Sequence, residues 1–313
     1  MDVSDRLPSL IPASPPHFKS GFVGLIGRPN VGKSTLMNQL VGQKIAITSP
    51  VAQTTRNRLR GIVTTDTAQL IFVDTPGIHK PHHQLGNILV QNACTSIAVV
   101  DVIVLIVDGS VPVGKGDRYI ANLLNTSSMP VLLGVNKIDL CTPEASPDLM
   151  ASYNIFAQEQ GWPIFSFSAL TQIGLSQLQV AIETRLPEGP YYYPPDLVTD
   201  QPERFIMGEL IREQILHLTR EEVPHSVALS IEKVEETPKI TRVLATIHVE
   251  RESQKSILIG KQGSMLKTIG IEARQQIQKL INGKVYLELF VKVQPKWRQS
   301  QNRLADLGYR IES

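Results

Sequence analysis

Eight residues, Gly27-Arg28-Pro29-Asn30-Val31-Gly32-Lys33-Ser34, carry the spacing G-x-x-x-x-G-K-S that cradles a nucleoside triphosphate. Phe22–Ile26 before them is a short apolar run of buried-strand type. Thr35–Leu40 after them reads as a helix with Leu36, Met37 and Leu40 apolar. In a strand–loop–helix context, backbone N–H groups at the helix N-terminus point at an anion. Lys33 would reach the β- and γ-phosphates and the Ser34 hydroxyl would ligate Mg²⁺, so Gly27 to Thr35 are the candidate phosphate-binding residues. A Gly-rich turn that happens to hold a lysine is the bland alternative, and it would not require both flanks.

Three further motifs follow in an order that suits a guanine nucleotide. Asp74-Thr75-Pro76-Gly77 comes after apolar Leu70–Val73. Asp74 at a strand's C-terminal end can hold Mg²⁺ through water, while the Gly77 N–H can meet the γ-phosphate. Asn136-Lys137-Ile138-Asp139 comes after apolar Val131–Val135. The Asp139 carboxylate can accept from guanine N1–H and the N2 amine; adenine lacks that donor pair and would leave a desolvated acceptor unpaired. Ser168-Ala169-Leu170, after Pro163–Phe167, would offer a backbone N–H to the guanine oxygen. Singly the last motif means little; four motifs in this order indicate a guanine-nucleotide-binding domain.

Ser49–Arg56 is polar, contains Pro50 and follows neither helical nor strand periodicity, so it is a loop. Thr55, with Thr54 in reserve, would complete the Mg²⁺ shell when a γ-phosphate is present, which makes the loop a switch together with Asp74–Ile78. Ile78 stands where a water-orienting side chain is needed, and an isoleucine can neither orient nor deprotonate water. His79 is a candidate substitute; the alternative is a loop histidine outside the chemistry. Intrinsic turnover is expected to be slow.

These motifs need elements to hold them, and 313 residues suggest two domains at about 150 residues each. Apolar content of 42% is enough for ordinary cores. No apolar run reaches the roughly 18 residues of a membrane span, and the polar, Pro-rich start lacks a secretory pattern. Cys94 and Cys141 are distant and outside any C-x-x-C. A cytoplasmic protein is therefore expected, with residues 1–19 a flexible arm, 20–187 the nucleotide domain, 188–202 a linker and 203–313 a second domain. Tyr191-Tyr192-Tyr193-Pro194-Pro195 makes that linker stiff and extended. Its tyrosines are expected to pack against the domains rather than to stack on bases.

The net charge of +2 hides an asymmetry: residues 255–303 hold ten Lys and Arg against only Glu272 and Glu288. Such clustering suits a phosphate backbone, with membrane phospholipid as the competing anionic surface. Beyond the linker the pattern runs helix (203–219), strand (227–231), strand (241–249), then Ile257–Ser264 containing Gly260-Lys261-Gln262-Gly263. A helix with Leu266, Ile269, Ala273, Ile277 and Leu280 on one face and a final strand (285–293) complete it. A G-x-x-G loop between helices beside a three-stranded sheet is the signature of a KH domain. Its glycines admit a sugar–phosphate backbone and Lys261 adds charge. The candidate RNA-binding residues are Ile259, Gly260, Lys261, Gln262, Gly263, Lys267, Arg274, Lys292, Lys296 and Arg298. Trp297 would either stack a base or pack in the core. An ordinary helix-entry turn is the alternative for the loop.

G-R-P-N-V-G-K-S-T-L-M-N, A-Q-T-T-R-N-R, D-T-P-G-I-H-K-P and N-K-I-D together resemble the Era family of bacterial GTPases, from about Gly21 to Tyr309. The resemblance implies an α/β P-loop GTPase domain followed by an α+β type II KH domain. It also implies GTP and GDP as ligands, Mg²⁺ as cofactor, and assembly of the 30S subunit through the 3′ end of 16S rRNA. Asn30 matches the residue that ligates K⁺ in related GTPases, where the ion stabilises phosphate charge in the transition state. A monomer is expected, in which GTP orders the switch and alters packing between the domains. A GTP-gated protein peripheral to the inner membrane, and a nucleotide-sensing RNA-binding module with negligible hydrolysis, are the alternatives.

Overall fold

The computed structural model describes residues 11–51, 54–56, 59–77, 99–125, 127–142, 144, 146–307 and 309. The first unit is built on strands β1 (Lys19–Gly27), β2 (Leu59–Thr64), β3 (Ala68–Asp74), β4 (Val102–Asp108), β5 (Val131–Asn136) and β6 (Ile164–Ser166). Their order is β2-β3-β1-β4-β5-β6, with β2 antiparallel to β3 and the others parallel. Helices α1 (Lys33–Val41), α2 (Lys115–Leu124), α3 (Ser146–Gln160) and α4 (Leu175–Glu183) surround it.

Strand β4 shows why a central parallel strand reads as an unbroken apolar run: both of its faces are covered. Val102, Val104 and Ile106 join one core with Leu25, Leu36 and Phe72. Ile103, Leu105 and Val107 point the other way, into a core with Ile120, Leu124, Tyr153 and Phe156. The sheet brings three motif-bearing strand ends to one edge, since the phosphate loop leaves β1, Asp74 ends β3 and Asn136 ends β5. That crevice beyond the carboxyl ends of parallel strands is where such sheets bind ligands.

The second unit runs α5 (Glu203–Leu218), a short helical turn (Val223–Ser226), β7 (Ala228–Glu236), β8 (Thr241–Val249), α6 (Glu252–Ile259), α7 (Ser264–Leu280) and β9 (Val285–Val293). Strand β8 pairs antiparallel with β7 and parallel with β9. This is the α+β arrangement of a type II KH domain. Val243, Ala245, Ile247 and Val249 are buried as their alternation requires, against Ile206, Leu210 and Ile215 of α5 and Ile269, Ala273 and Ile277 of α7.

Three expectations are settled by packing. The arm over 1–19 is not free at its C-terminal end. Phe18 is 2% exposed, its ring lies 4.5 Å from that of Tyr191, and Lys19 already belongs to β1; residues 1–10 lie outside the described residues. The linker tyrosines do pack: Tyr192 sits 5.4 Å from the Phe22 ring, and the Tyr193 carbonyl accepts from Gln69 Nε2. Trp297 is fully buried against Tyr309 and donates from Nε1 to the Ser226 carbonyl at 3.0 Å. Trp297→Ala should therefore destabilise the second unit by about 3–5 kcal/mol. Urea denaturation followed by circular dichroism checks this, and an unshifted transition would contradict the packing role.

Candidate nucleotide site and nucleic-acid groove

The phosphate loop folds around Lys33. Its ammonium donates to the carbonyls of Gly27 (3.2 Å) and Arg28 (3.0 Å). Burial pushes its pKa down to about 8, with the Asp74 carboxylate acting in the opposite direction. Gly32 has φ 100°, and a Cβ there would lie 2.3 Å from Asn136 Nδ2, so no other residue fits. Arg28 contributes its carbonyl to the cradle, whereas its side chain turns away to donate from Nε to Asp117 Oδ1 at 2.7 Å. Asp117 Oδ2 in turn accepts from the Gly114 N–H and caps α2. Neither that aspartate nor its role was apparent from the motif.

At the Ser34 end three oxygen-bearing side chains converge. Ser34 Oγ donates to Asp74 Oδ2 at 2.6 Å, and Thr55 Oγ1 lies 2.9 Å from Ser34 Oγ and 3.1 Å from Asp74 Oδ2. Asp74 is fully buried and its Oδ1 has no hydrogen-bond partner. Burial raises its pKa, opposed by Lys33, by the two hydroxyls and by the Thr75 backbone. Hard oxygen donors with an unsatisfied carboxylate oxygen fit Mg²⁺. Thr54 does not join them, because its hydroxyl donates to the Val51 carbonyl at 2.6 Å. Thr75 Oγ1 ties the end of β3 to β1 through the Leu25 carbonyl at 2.9 Å, carrying the chain on through Pro76. Ile78 and His79 lie outside the described residues.

The two loops expected to meet a base are tied to the phosphate loop by Asn136. Its Nδ2 donates to the Val31 carbonyl and its Oδ1 accepts from the Ala169 N–H, both at 2.8 Å. The Ser168 N–H is likewise engaged, by the Ile173 carbonyl at 2.9 Å, so a guanine oxygen would share the Ala169 donor with Asn136. Leu170 is 71% exposed beside this loop. Lys137, held at φ 67°, donates to Asp108 Oδ2 at 2.6 Å. Burial would raise the Asp108 pKa, but hydrogen bonds from Lys137 and Ser110 bring it below the usual range. Asp139 is exposed on the turn Ile138–Leu140, open to a base.

A cavity of about 510 Å³ joins Asn30, Lys33, Ser34, Thr35, Thr55 and Gly77. Asn30 Nδ2 donates across it to the Pro50 carbonyl at 2.7 Å. One wall belongs to the second unit, through His217 of α5. No spacing pattern in the sequence pointed to that residue.

In the second unit Gly260 ends α6 and Gly263 opens α7, with Lys261 and Gln262 exposed between them. Gly263 has φ 78° and nothing within 4 Å of where a side chain would begin. Ile259 is half-buried behind the loop. A groove of about 340 Å³ runs from Gly263 along α7 and β9, with Leu266, Ile271 and Leu289 on its walls and Lys267 and Arg274 at its side. Lys267 and Arg274 line this groove beside the loop, whereas Lys292, Lys296 and Arg298 are not part of its lining. Lys292 lies on β9 at the register position of His248, and Lys296 is exposed beyond the strand. Arg298 is committed to Glu250 at 2.5 Å and so fastens the C-terminal segment.

Among the described residues no three or more His, Cys, Asp or Glu side chains gather in a group that could hold a metal ion, and no helix is long and apolar enough to cross a membrane. Cys141 Sγ donates to the Gly109 carbonyl.

Residues 22–137 match the family model described as 50S ribosome-binding GTPase, and residues 222–298 match the KH domain model. GTPase Era of Nostoc sp. is 72% identical over 302 residues, covering 96% of this chain and 93% of the relative. A crystal structure of Era in complex with MgGDPNP and nucleotides 1506–1542 of 16S ribosomal RNA superposes with a TM-score of 0.90 at 38% identity, covering 94% of this chain and 99% of that one. A variant of Aquifex aeolicus Era bound to GDP·AlF4⁻ does so with a TM-score of 0.88 at 38% identity, covering 93% and 99%. With both halves matched, and at this identity over nearly the whole length, the chain belongs to the Era family of GTPases.

Proposed function

We propose that this protein is a GTP-hydrolysing switch that binds 16S rRNA near its 3′ end and assists assembly of the 30S subunit in the cytoplasm. The observation that carries the reading is the joining, in one chain, of a buried phosphate-and-oxygen cradle to an open G-x-x-G loop flanked by Lys267 and Arg274. Residues 20–187 would form the nucleotide domain and 203–313 the RNA-binding domain, with 188–202 between them. The Era bound to MgGDPNP and a 16S fragment is the related complex that motivates both ligands.

Gly27 to Thr35 would hold the phosphates, Ser34, Thr55 and Asp74 the Mg²⁺, and Asn136, Lys137, Asp139 and Ser168–Leu170 the base. Mg²⁺ would neutralise charge on the β- and γ-phosphate oxygens. Lys33 supplies a second, buried cation, whose burial-lowered pKa an anionic phosphate beside it would raise again. Gly77 closes on the loop so tightly that a Cβ would meet Pro29 N at 2.7 Å, which brings its backbone within the same cavity.

Asn30 and the Pro50 carbonyl already face one another at 2.7 Å. Rotation of the Asn30 amide would present two oxygens to K⁺, which could then stabilise charge on the phosphates in the transition state. The test pairs a hydrolysis assay with an RNA-binding assay. GTP hydrolysis should be faster in KCl than in NaCl at matched ionic strength, and Asn30→Ala should erase the difference. Filter binding should retain a 16S 3′-end fragment, more weakly as salt rises, because neutralised phosphates release counterions. Equal rates in the two salts would remove potassium from the mechanism, and no retention of the fragment at low salt would remove the RNA.

A further inference from the structure

Between α1 and β2 the described residues before Leu59 form no helix or strand. Asn38 and Asn30 of the first unit bond Ile45, Ala46 and Pro50, and the rest of the described part is held largely by side chains of the second unit. Thr48 shows this most directly. Its N–H donates to Glu213 Oε1 at 2.8 Å, and its carbonyl accepts from His217 Nε2 at 2.9 Å. Both backbone groups of one residue are thus satisfied by α5 rather than by a sheet or helix partner. Glu213 and His217 are four residues apart, so they lie one above the other on one face of α5.

The neighbouring contacts agree in direction. Ile47 is 3% exposed and belongs to the hydrophobic core of the second unit, beside residues of α5. Lys44 Nζ pairs with Glu213 Oε2 at 2.5 Å. Arg212 donates to the Thr54 carbonyl, and Arg56 donates to the carbonyls of Val227 at 2.6 Å and Pro224 at 3.2 Å. Thr55 is therefore flanked on both sides by residues anchored in the second unit, while its own hydroxyl faces Ser34 and Asp74. Pulling the segment off α5 would strip the buried Glu213 carboxylate of Lys44 and Thr48, leaving only Gln214 Nε2 at 3.4 Å among its described partners.

Resting on the nucleotide reading above, we infer that Glu213 and His217 are positioning residues of the nucleotide site, acting through the Thr48 peptide to hold Thr55 at its Mg²⁺ end. They need not touch nucleotide. Their part is to place the hydroxyl whose contribution depends on a γ-phosphate and Mg²⁺, so their removal should tell GTP from GDP. His217 is the cleaner probe, because it is exposed and its replacement leaves the core intact.

The experiment titrates full-length wild type, His217→Ala, His217→Gln and Glu213→Ala with fluorescent GDP and with a non-hydrolysable GTP analogue, each in Mg²⁺ and in EDTA. One lost hydrogen bond should weaken the GTP analogue about fivefold in Mg²⁺ for His217→Ala, and more for Glu213→Ala. GDP affinity should stay within about twofold of wild type, and the difference should vanish in EDTA, since neither condition uses the Thr55 hydroxyl fully. His217→Gln, whose amide can still donate to the Thr48 carbonyl, should restore most of the loss. Equal losses for GDP and the GTP analogue would make His217 a mere wall of the cavity and overturn the inference, as would no loss for His217→Ala. Failure of the wild type itself to bind guanine nucleotides would instead sink the nucleotide reading on which the inference rests.

Discussion

Asp139→Asn is expected to cost this protein its guanine selectivity and to create binding of xanthosine triphosphate. In the proposed pose one carboxylate accepts two hydrogen bonds, from N1–H and from the N2 amine. Hydrogen bonds to a charged group contribute roughly 1.5–3 kcal/mol each. An amide in its place keeps one acceptor and turns a donor toward a donor, so GTP affinity should fall on the order of a hundredfold or more. Xanthine presents an oxygen where guanine has the amine, and the introduced amide would donate to it. The remainder of the site should tolerate the change. Asp139 is exposed on its turn, while Asn136, which ties the base loop to the phosphate loop, is buried and makes its bonds elsewhere. Calorimetric titration of both nucleotides against the variant decides the matter; unchanged GTP affinity would mean that Asp139 does not read the base.

The second large effect is expected from Lys261→Asp combined with Gln262→Asp. Both side chains are exposed at the tip between α6 and α7, and Gly263 next to them leaves open space for a phosphate backbone. Two carboxylates there would repel that backbone where it approaches closest. RNA binding should drop below detection at physiological salt, because phosphate contacts carry a large share of nucleic-acid affinity. The nucleotide cavity is lined by residues of the first unit and by His217, none of them in the loop, so GDP affinity should be retained. Filter binding with single-stranded 16S fragments, run beside a GDP titration on the same preparation, separates the two. Undiminished RNA binding by the folded variant would reduce the loop to an ordinary turn and leave the groove beside Lys267 and Arg274 in need of another ligand.

The contrast between Asp139 and His217 shows what was legible in the chain. The phosphate loop, Asp74-Thr75-Pro76-Gly77, Asn136–Asp139 and the G-x-x-G loop are local motifs, each a few consecutive residues leaving a strand or a helix. Their geometry follows from neighbours in sequence, so their spacing is a sufficient signal. The same holds for β8 and β9, found over 241–249 and 285–293 as the apolar alternation required. The helix Glu252–Ile259 was only partly visible, since its single apolar run Ile257–Ile259 is too short to show a period.

By itself, then, the sequence determined the positions of the motifs and of the strands and helices that carry them, because burial periodicity and turn chemistry act over a few residues. Tertiary structure alone decided which partners distant side chains would take. Arg28 could have faced phosphate but is claimed by Asp117, and Arg298 could have faced RNA but is claimed by Glu250. Trp297 could have stacked on a base but fills the core. Thr48 meets Glu213 and His217 across more than 160 positions of chain. The Thr48 pairings depend on where α5 comes to rest against the first unit. That is settled by the burial of Ile47 and by the need of buried Glu213, Arg212 and Arg56 for hydrogen-bond partners, a condition that no local pattern encodes.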